Sequence, residues 1–122
     1  MPRIAIVSVP VSDQARAKEF YSKVLGFQLL RDEPMGPEQQ WVQLAPQRGT
    51  ATLALVTWFE EMPPGSLQGM VLESSDVKAE HERLKEKGLD ISDLTEAPWG
   101  TYATFSDPDG NGWVLQQTNV GE

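Results

Sequence analysis

The order strand, helix, strand, strand, strand occurs twice in this chain of 122 residues, and that repeat restricts the fold more than any single motif. In the first half, Ile4 to Val11 alternates and is rich in valine and isoleucine, which predicts a strand ending near Pro10. Ser12-Asp13 then supplies an N-cap, Ala17, Phe20, Tyr21 and Val24 recur at helical spacing, and Gly26 closes the helix. Phe27 to Arg31 reads as a strand followed by a loop through Pro34, Gly36 and Pro37. Trp41 to Ala45 and Thr50 to Thr57 are further strands, separated by the turn cluster Pro46 to Gly49.

Glu60-Glu-Met-Pro-Pro-Gly65 interrupts the pattern, because consecutive prolines end any regular element. The order then restarts. Gly69 to Glu73 reads as a strand, and Ser75-Asp76 caps a helix with Val77, His81 and Leu84 on one stripe. Gly88 ends that helix, and Leu89 to Leu94 is expected to be a strand. The strongest hairpin signal comes last: β-prone Tyr102 to Phe105 and Trp113 to Gln116 flank Asp107-Pro-Asp-Gly-Asn111. Side chains alternate along a strand, so Val114 and Gln116 share one face while Trp113 and Leu115 share the other. The expected architecture is a single α+β domain of two paired βαβββ modules, residues 1–58 and 67–122, joined by a linker over 59–66. Each helix covers one face of its curved mixed sheet, and the opposite faces form a concave cleft.

Composition removes several classes of function. No apolar run approaches the roughly 20 residues a membrane span needs, and Met-Pro-Arg-Ile at the start has no apolar leader pattern, so a cytoplasmic location is expected. With no cysteine there is no disulfide, thiolate metal site or cysteine nucleophile. Residues 1–58 carry six basic and five acidic side chains, whereas 59–122 carry four basic and thirteen acidic ones. That balance disfavours nucleic acid and attracts a cationic ligand. Gly110-Asn-Gly112 belongs to a hairpin, not to the strand-to-helix turn of a phosphate loop.

Val9-Pro-Val-Ser-Asp13, Phe20-Tyr21, Leu25-Gly26-Phe27, Pro98-Trp-Gly100 and Phe105-Ser-Asp-Pro-Asp-Gly-Asn111, in this order and spacing, resemble the glyoxalase, bleomycin-resistance and extradiol-dioxygenase family, the vicinal oxygen chelate superfamily. The resemblance implies one of several chemistries, from metal-dependent lyases and dioxygenases to drug-binding proteins. Catalytic members hold a divalent metal with side chains from equivalent strand positions. By that resemblance the four positions here are Ile6, Ala54, Gly69 and Val114, which carry no imidazole or carboxylate donor, so no metal and no cofactor is expected. His81, on the helix stripe, is expected to pack against the sheet.

Carrying strand parity through, the cleft is expected to be lined by Ile6, Ser8, Trp41, Gln43, Thr52, Ala54, Gly69, Val71, Tyr102, Thr104, Val114 and Gln116. This apolar floor with hydroxyls and amides suits a neutral, aromatic or cationic organic ligand, Trp41 and Tyr102 offering flat faces. None of the twelve is a His, Asp or Glu and Ser8 has no neighbouring histidine, so no catalytic residue is assigned. Trp58, Phe59 and Trp99 are candidates for the rim or for a partner surface. The leading expectation is a small-molecule binding or sequestering protein; the resemblance implies a homodimer with a shared cleft. The alternatives are a metal-dependent lyase, isomerase or dioxygenase with non-standard ligands, and a non-catalytic interaction module.

Overall fold

The computed structural model describes residues 2–46 and 51–119. The first module runs β1 (Ile6–Pro10), α1 (Gln14–Glu19) with a π turn over Phe20–Val24, β2 (Gln28–Gly36), β3 (Gln39–Ala45) and β4 (Thr52–Val56). The second runs β5 (Met70–Glu73), α2 (Val77–Glu86), β6 (Thr95–Ala97), β7 (Gly100–Ser106) and β8 (Gly112–Thr118). Each makes a four-stranded mixed sheet, in the orders β1-β4-β3-β2 and β5-β8-β7-β6. The first strand of each module lies parallel to its last, and the remaining pairs are antiparallel. The two helix starts repeat as well. Asp13 accepts a hydrogen bond from the Arg16 amide at 3.1 Å and Asp76 from the Ala79 amide at 3.2 Å, which satisfies an N–H that no helical carbonyl reaches.

Two expected boundaries are corrected. β2 continues through Pro34 to Gly36 instead of ending at Arg31, because it is an edge strand, where proline's missing N–H is tolerated, and its register shifts beside the proline absorb the irregularity. Leu89 to Leu94 is not a strand, and the second strand of the module lies at Thr95–Ala97 instead. Ser92 still borders β7, its amide donating to the Thr104 carbonyl at 2.9 Å and its hydroxyl accepting from the Thr104 amide. Of the expected turn Pro46 to Gly49, residues 47–49 lie outside the described residues, as does Thr50 at the start of the following strand.

The helix-side faces of both sheets meet in one apolar core. Val9, Leu44 and Leu55 from the first sheet, Tyr21 from the π turn, Phe27 just before β2, and Leu84, Phe105, Trp113 and Leu115 from the second module belong to it. Trp113 is the pivot, its ring centroid 5.8 Å from Tyr21 and 6.2 Å from both Phe27 and Phe105. Its indole N–H donates to Tyr21 Oη at 3.0 Å, and that hydroxyl donates to Asp107 Oδ2 at 2.7 Å. The turn after β7 thereby grips the first module. Asn111 extends the grip, donating from Nδ2 to the Pro10 carbonyl at 2.8 Å and accepting the Leu67 amide at Oδ1. Ser12 Oγ donates to Asp109 Oδ1 at 2.6 Å.

At the edge of the first sheet, Lys18 Nζ lies 2.6 Å from Asp32 Oδ2, and Gln40 donates to Oδ1 at 2.7 Å. The Lys18 bond, then the Gln40 bond, hold the Asp32 carboxyl below its ordinary range. A depressed carboxyl contributes stability above its unfolded value and loses it as pH falls through the folded one. We expect Asp32→Asn to destabilise by less than about 1 kcal/mol at pH 7, since the pair is partly exposed. The difference from the parent should shrink as pH falls below about 4, read from urea midpoints at pH 7 and pH 3. A difference unchanged at pH 3 contradicts the assignment.

Candidate functional site

The twelve expected lining residues fall into two groups of six, each on the sheet face turned away from the shared core. On the first sheet, Ile6 pairs with Thr52 and Ser8 with Ala54, and Ala54 pairs in turn with Gln43. Trp41 Nε1 donates to Gln43 Oε1 at 3.0 Å, Gln43 Nε2 to Thr52 Oγ1 at 2.9 Å, and Thr52 Oγ1 to the Ala5 carbonyl at 3.2 Å. This string of polar contacts fixes Trp41 and Gln43 before any ligand arrives. Ala54 is only 1 % exposed, so it lies beneath the surface it was expected to line. Arg31 and Glu33 of β2 pair with Gln43 and Trp41, adding one charge of each sign to this face.

On the second sheet, Val71, Val114 and Thr104 form one row across three strands, and Glu73, Gln116, Tyr102 and Thr95 form the next across four. Gly69 stands just before β5, where an added Cβ meets nothing within 4 Å. Together with Thr104 and Val114 it lines a recess of about 570 Å³ whose polar wall includes Gln68, Asp90 and Ser106. Glu73 corrects the expectation of a face without carboxylates. It follows Val71 by two residues on β5, so strand parity puts it on the same face, one step beyond the expected lining. Trp99, expected at the rim or on a partner surface, stacks its ring on Tyr102 beside this row, with centroids 5.4 Å apart and planes at 19°.

The Glu73 carboxylate is held by its neighbours. Oε2 accepts the Thr118 amide at 2.8 Å and hydroxyl at 2.9 Å, and Oε1 accepts Gln116 Nε2 at 3.0 Å. The Thr118 amide, with Gln116 next, keeps its pKa below the usual glutamate value. Glu73 is therefore an ionised acceptor and a fixed charge at neutral pH, and is poorly suited to donate a proton.

His81 is buried in α2, where Nε2 lies 2.7 Å from the Ser92 carbonyl, so that nitrogen carries the hydrogen and the ring holds the segment before β6. A divalent ion does not fit the residues at the four strand positions: Ile6, Ala54 and Val114 are aliphatic and Gly69 has no side chain. Among the described residues, no cluster of three or more His, Cys, Asp or Glu side chains offers an alternative.

A family model described as the Glyoxalase/Bleomycin resistance protein/Dioxygenase superfamily matches residues 3–115. The chain is 36 % identical over 119 residues to the uncharacterized protein YetH of Bacillus subtilis (strain 168), covering 94 % of this chain and 98 % of YetH. Among solved structures, it is similar to TnmS3, an antibiotic binding protein from Streptomyces sp. CB03234, with a TM-score of 0.91 and 46 % identity over 98 % of each chain. A glyoxalase/bleomycin resistance protein from the same strain gives a TM-score of 0.84 and 49 % identity, over 94 % of this chain and 100 % of that one.

Proposed function

Because this chain belongs to the glyoxalase/bleomycin resistance protein/dioxygenase superfamily, we propose that it binds and sequesters a small, antibiotic-like organic ligand on the open sheet faces without a metal. The observation that carries this reading is the 46 % identity, over 98 % of both chains, to an antibiotic binding protein. The chemistry of the faces supports it. They offer aliphatic floor, amides, hydroxyls, aromatic walls and the fixed Glu73 carboxylate, and among the described residues no cluster of three or more His, Cys, Asp or Glu forms a donor set for a Lewis acid.

Residues 1–122 are read as one domain that acts as a homodimer. Each open face is turned away from the core of its own chain, and a second copy completes the cleft. No described helix is long and apolar enough to cross a membrane, and the proposed location is the cytoplasm.

The test is a titration of intrinsic tryptophan fluorescence against a panel of cationic glycopeptides and planar aromatic drugs, with the purified protein assayed for metal. At least one class should give saturable quenching, and Tyr102→Ala should weaken that binding about tenfold, the size of one lost aromatic contact. A flat response across the panel sinks the binding reading. Tightly held stoichiometric metal sinks the metal-free part of it.

A further inference from the structure

Among the described residues, the strands of the second sheet carry charge of one sign only. None of its four strands contains a lysine or arginine, and among the described residues no ion pair involves Glu73. The first sheet's face differs, because Glu33 there lies 4.0 Å from Arg31. Glu73 is also fixed in place. Thr118 and Gln116 orient both its oxygens, so little conformational freedom remains to be lost on binding.

The same row continues from Glu73 through Gln116 to Tyr102. Strand spacing places the Glu73 and Tyr102 backbones about 10 Å apart, with the Gln116 amide between them. Trp99, stacked on Tyr102 and 46 % exposed, closes the aromatic end. A cation resting over Gln116 has a carboxylate on one side and the face or edge of an aromatic pair on the other. Both attract positive charge, the first by direct ion pairing and the second through the ring quadrupole.

The geometry points to a cation-recognition site formed by Glu73, Gln116, Tyr102 and Trp99, which takes the ammonium group of an aromatic amine. The inference rests on the small-molecule reading above and specifies its ligand: an amine-bearing aromatic compound whose apolar part lies along Val71 and Val114.

The probes are 4-phenylbutylamine, charged at pH 7, and 4-phenylbutan-1-ol, its neutral counterpart, titrated at matched ionic strength into the 15N-labelled protein. The amine should bind about tenfold more tightly than the alcohol, a factor that one partly exposed ion pair and one cation–π contact together supply. Shifts should concentrate at residues 71–73, 101–104 and 114–117 and at the Trp99 indole. Glu73→Gln keeps an oxygen acceptor for Thr118 and should reduce the preference to about threefold or less, with the alcohol's affinity within about twofold of the parent. Glu96→Gln removes the same charge from the opposite face of the sheet and should leave the preference intact.

Equal binding of amine and alcohol overturns the cation site and leaves the wider small-molecule reading standing. Loss of the preference in Glu96→Gln as complete as in Glu73→Gln also overturns it, since long-range charge would then explain the effect. If neither probe shifts this face, the site is overturned, and the fluorescence titration separately decides the wider reading.

Discussion

Replacing Asp107 by alanine is expected to destabilise the protein by about 2–5 kcal/mol, the cost of leaving two buried side-chain donors without their acceptor. Asp107 is 5 % exposed and accepts four hydrogen bonds. They come from Tyr21 Oη at 2.7 Å, Asn111 Nδ2 at 2.8 Å, and the Asp109 and Asn111 amides at 2.9 Å each. Alanine leaves the fully buried Tyr21 and Asn111 side chains short of an acceptor. Burial first, then the Asp107 charge, push the Tyr21 hydroxyl far above the ordinary phenol range, so it keeps its proton at neutral pH. Tyr21→Phe alone is expected to lose about 1–2 kcal/mol, and the double variant less than the sum, because both members act in one network. Urea unfolding followed by tryptophan fluorescence measures all three. A loss of under about 1 kcal/mol for Asp107→Ala contradicts the proposed role of the turn.

Gly65→Ala is expected to lose about 2–4 kcal/mol, from a left-handed backbone combined with a steric collision. The residue has φ +83°, and a Cβ there stands 2.2 Å from the Asp109 carbonyl oxygen, which is backbone and has little freedom to move. The Gly65 amide points at the Pro10 carbonyl, the same oxygen that Asn111 Nδ2 reaches. Making room for a methyl group therefore separates the linker from the turn and strains the Asn111 bond. Gly69→Ala is the control. Its φ is +84° and its Cβ meets nothing within 4 Å, so only the backbone term of about 1–2 kcal/mol remains. The difference between the two variants measures the close approach, and equal losses in urea or thermal unfolding rule it out.

These two residues show where reading along the chain stops. Asp107 to Asn111 is legible as a hairpin turn because proline and glycine set the backbone locally. Its partners Tyr21 and Pro10 lie far away in sequence, so its role as the clasp between modules is not. The element order was legible, since helix periodicity and the Asp13 and Asp76 caps are local signals. β2 was read too short because proline is a loop signal unless the strand is known to lie at an edge. β6 was displaced because three residues carry too little pattern to be located.

The candidate site divides in the same way. Alternation placed Ile6, Ser8, Trp41, Gln43, Thr52, Val71, Tyr102, Thr104, Val114 and Gln116 on the faces away from the core, because a pleated strand leaves no other choice once one face is buried. Ala54 follows the same parity yet is covered by its neighbours, a packing result that alternation does not contain. Glu73 obeys the parity but gains meaning only from Thr118 and Gln116, which orient it. Trp99 lies in a loop, where no periodicity applies.

By itself the sequence determined the doubled βαβββ order, the helix caps and which side chains share a sheet face, because each depends on residues a few positions apart. Only the tertiary structure decided which strands sit at the edges, which turn joins the modules and which neighbours hold the Glu73 carboxylate on the second sheet. Those outcomes depend on contacts between residues tens of positions apart, whose partners no local pattern names.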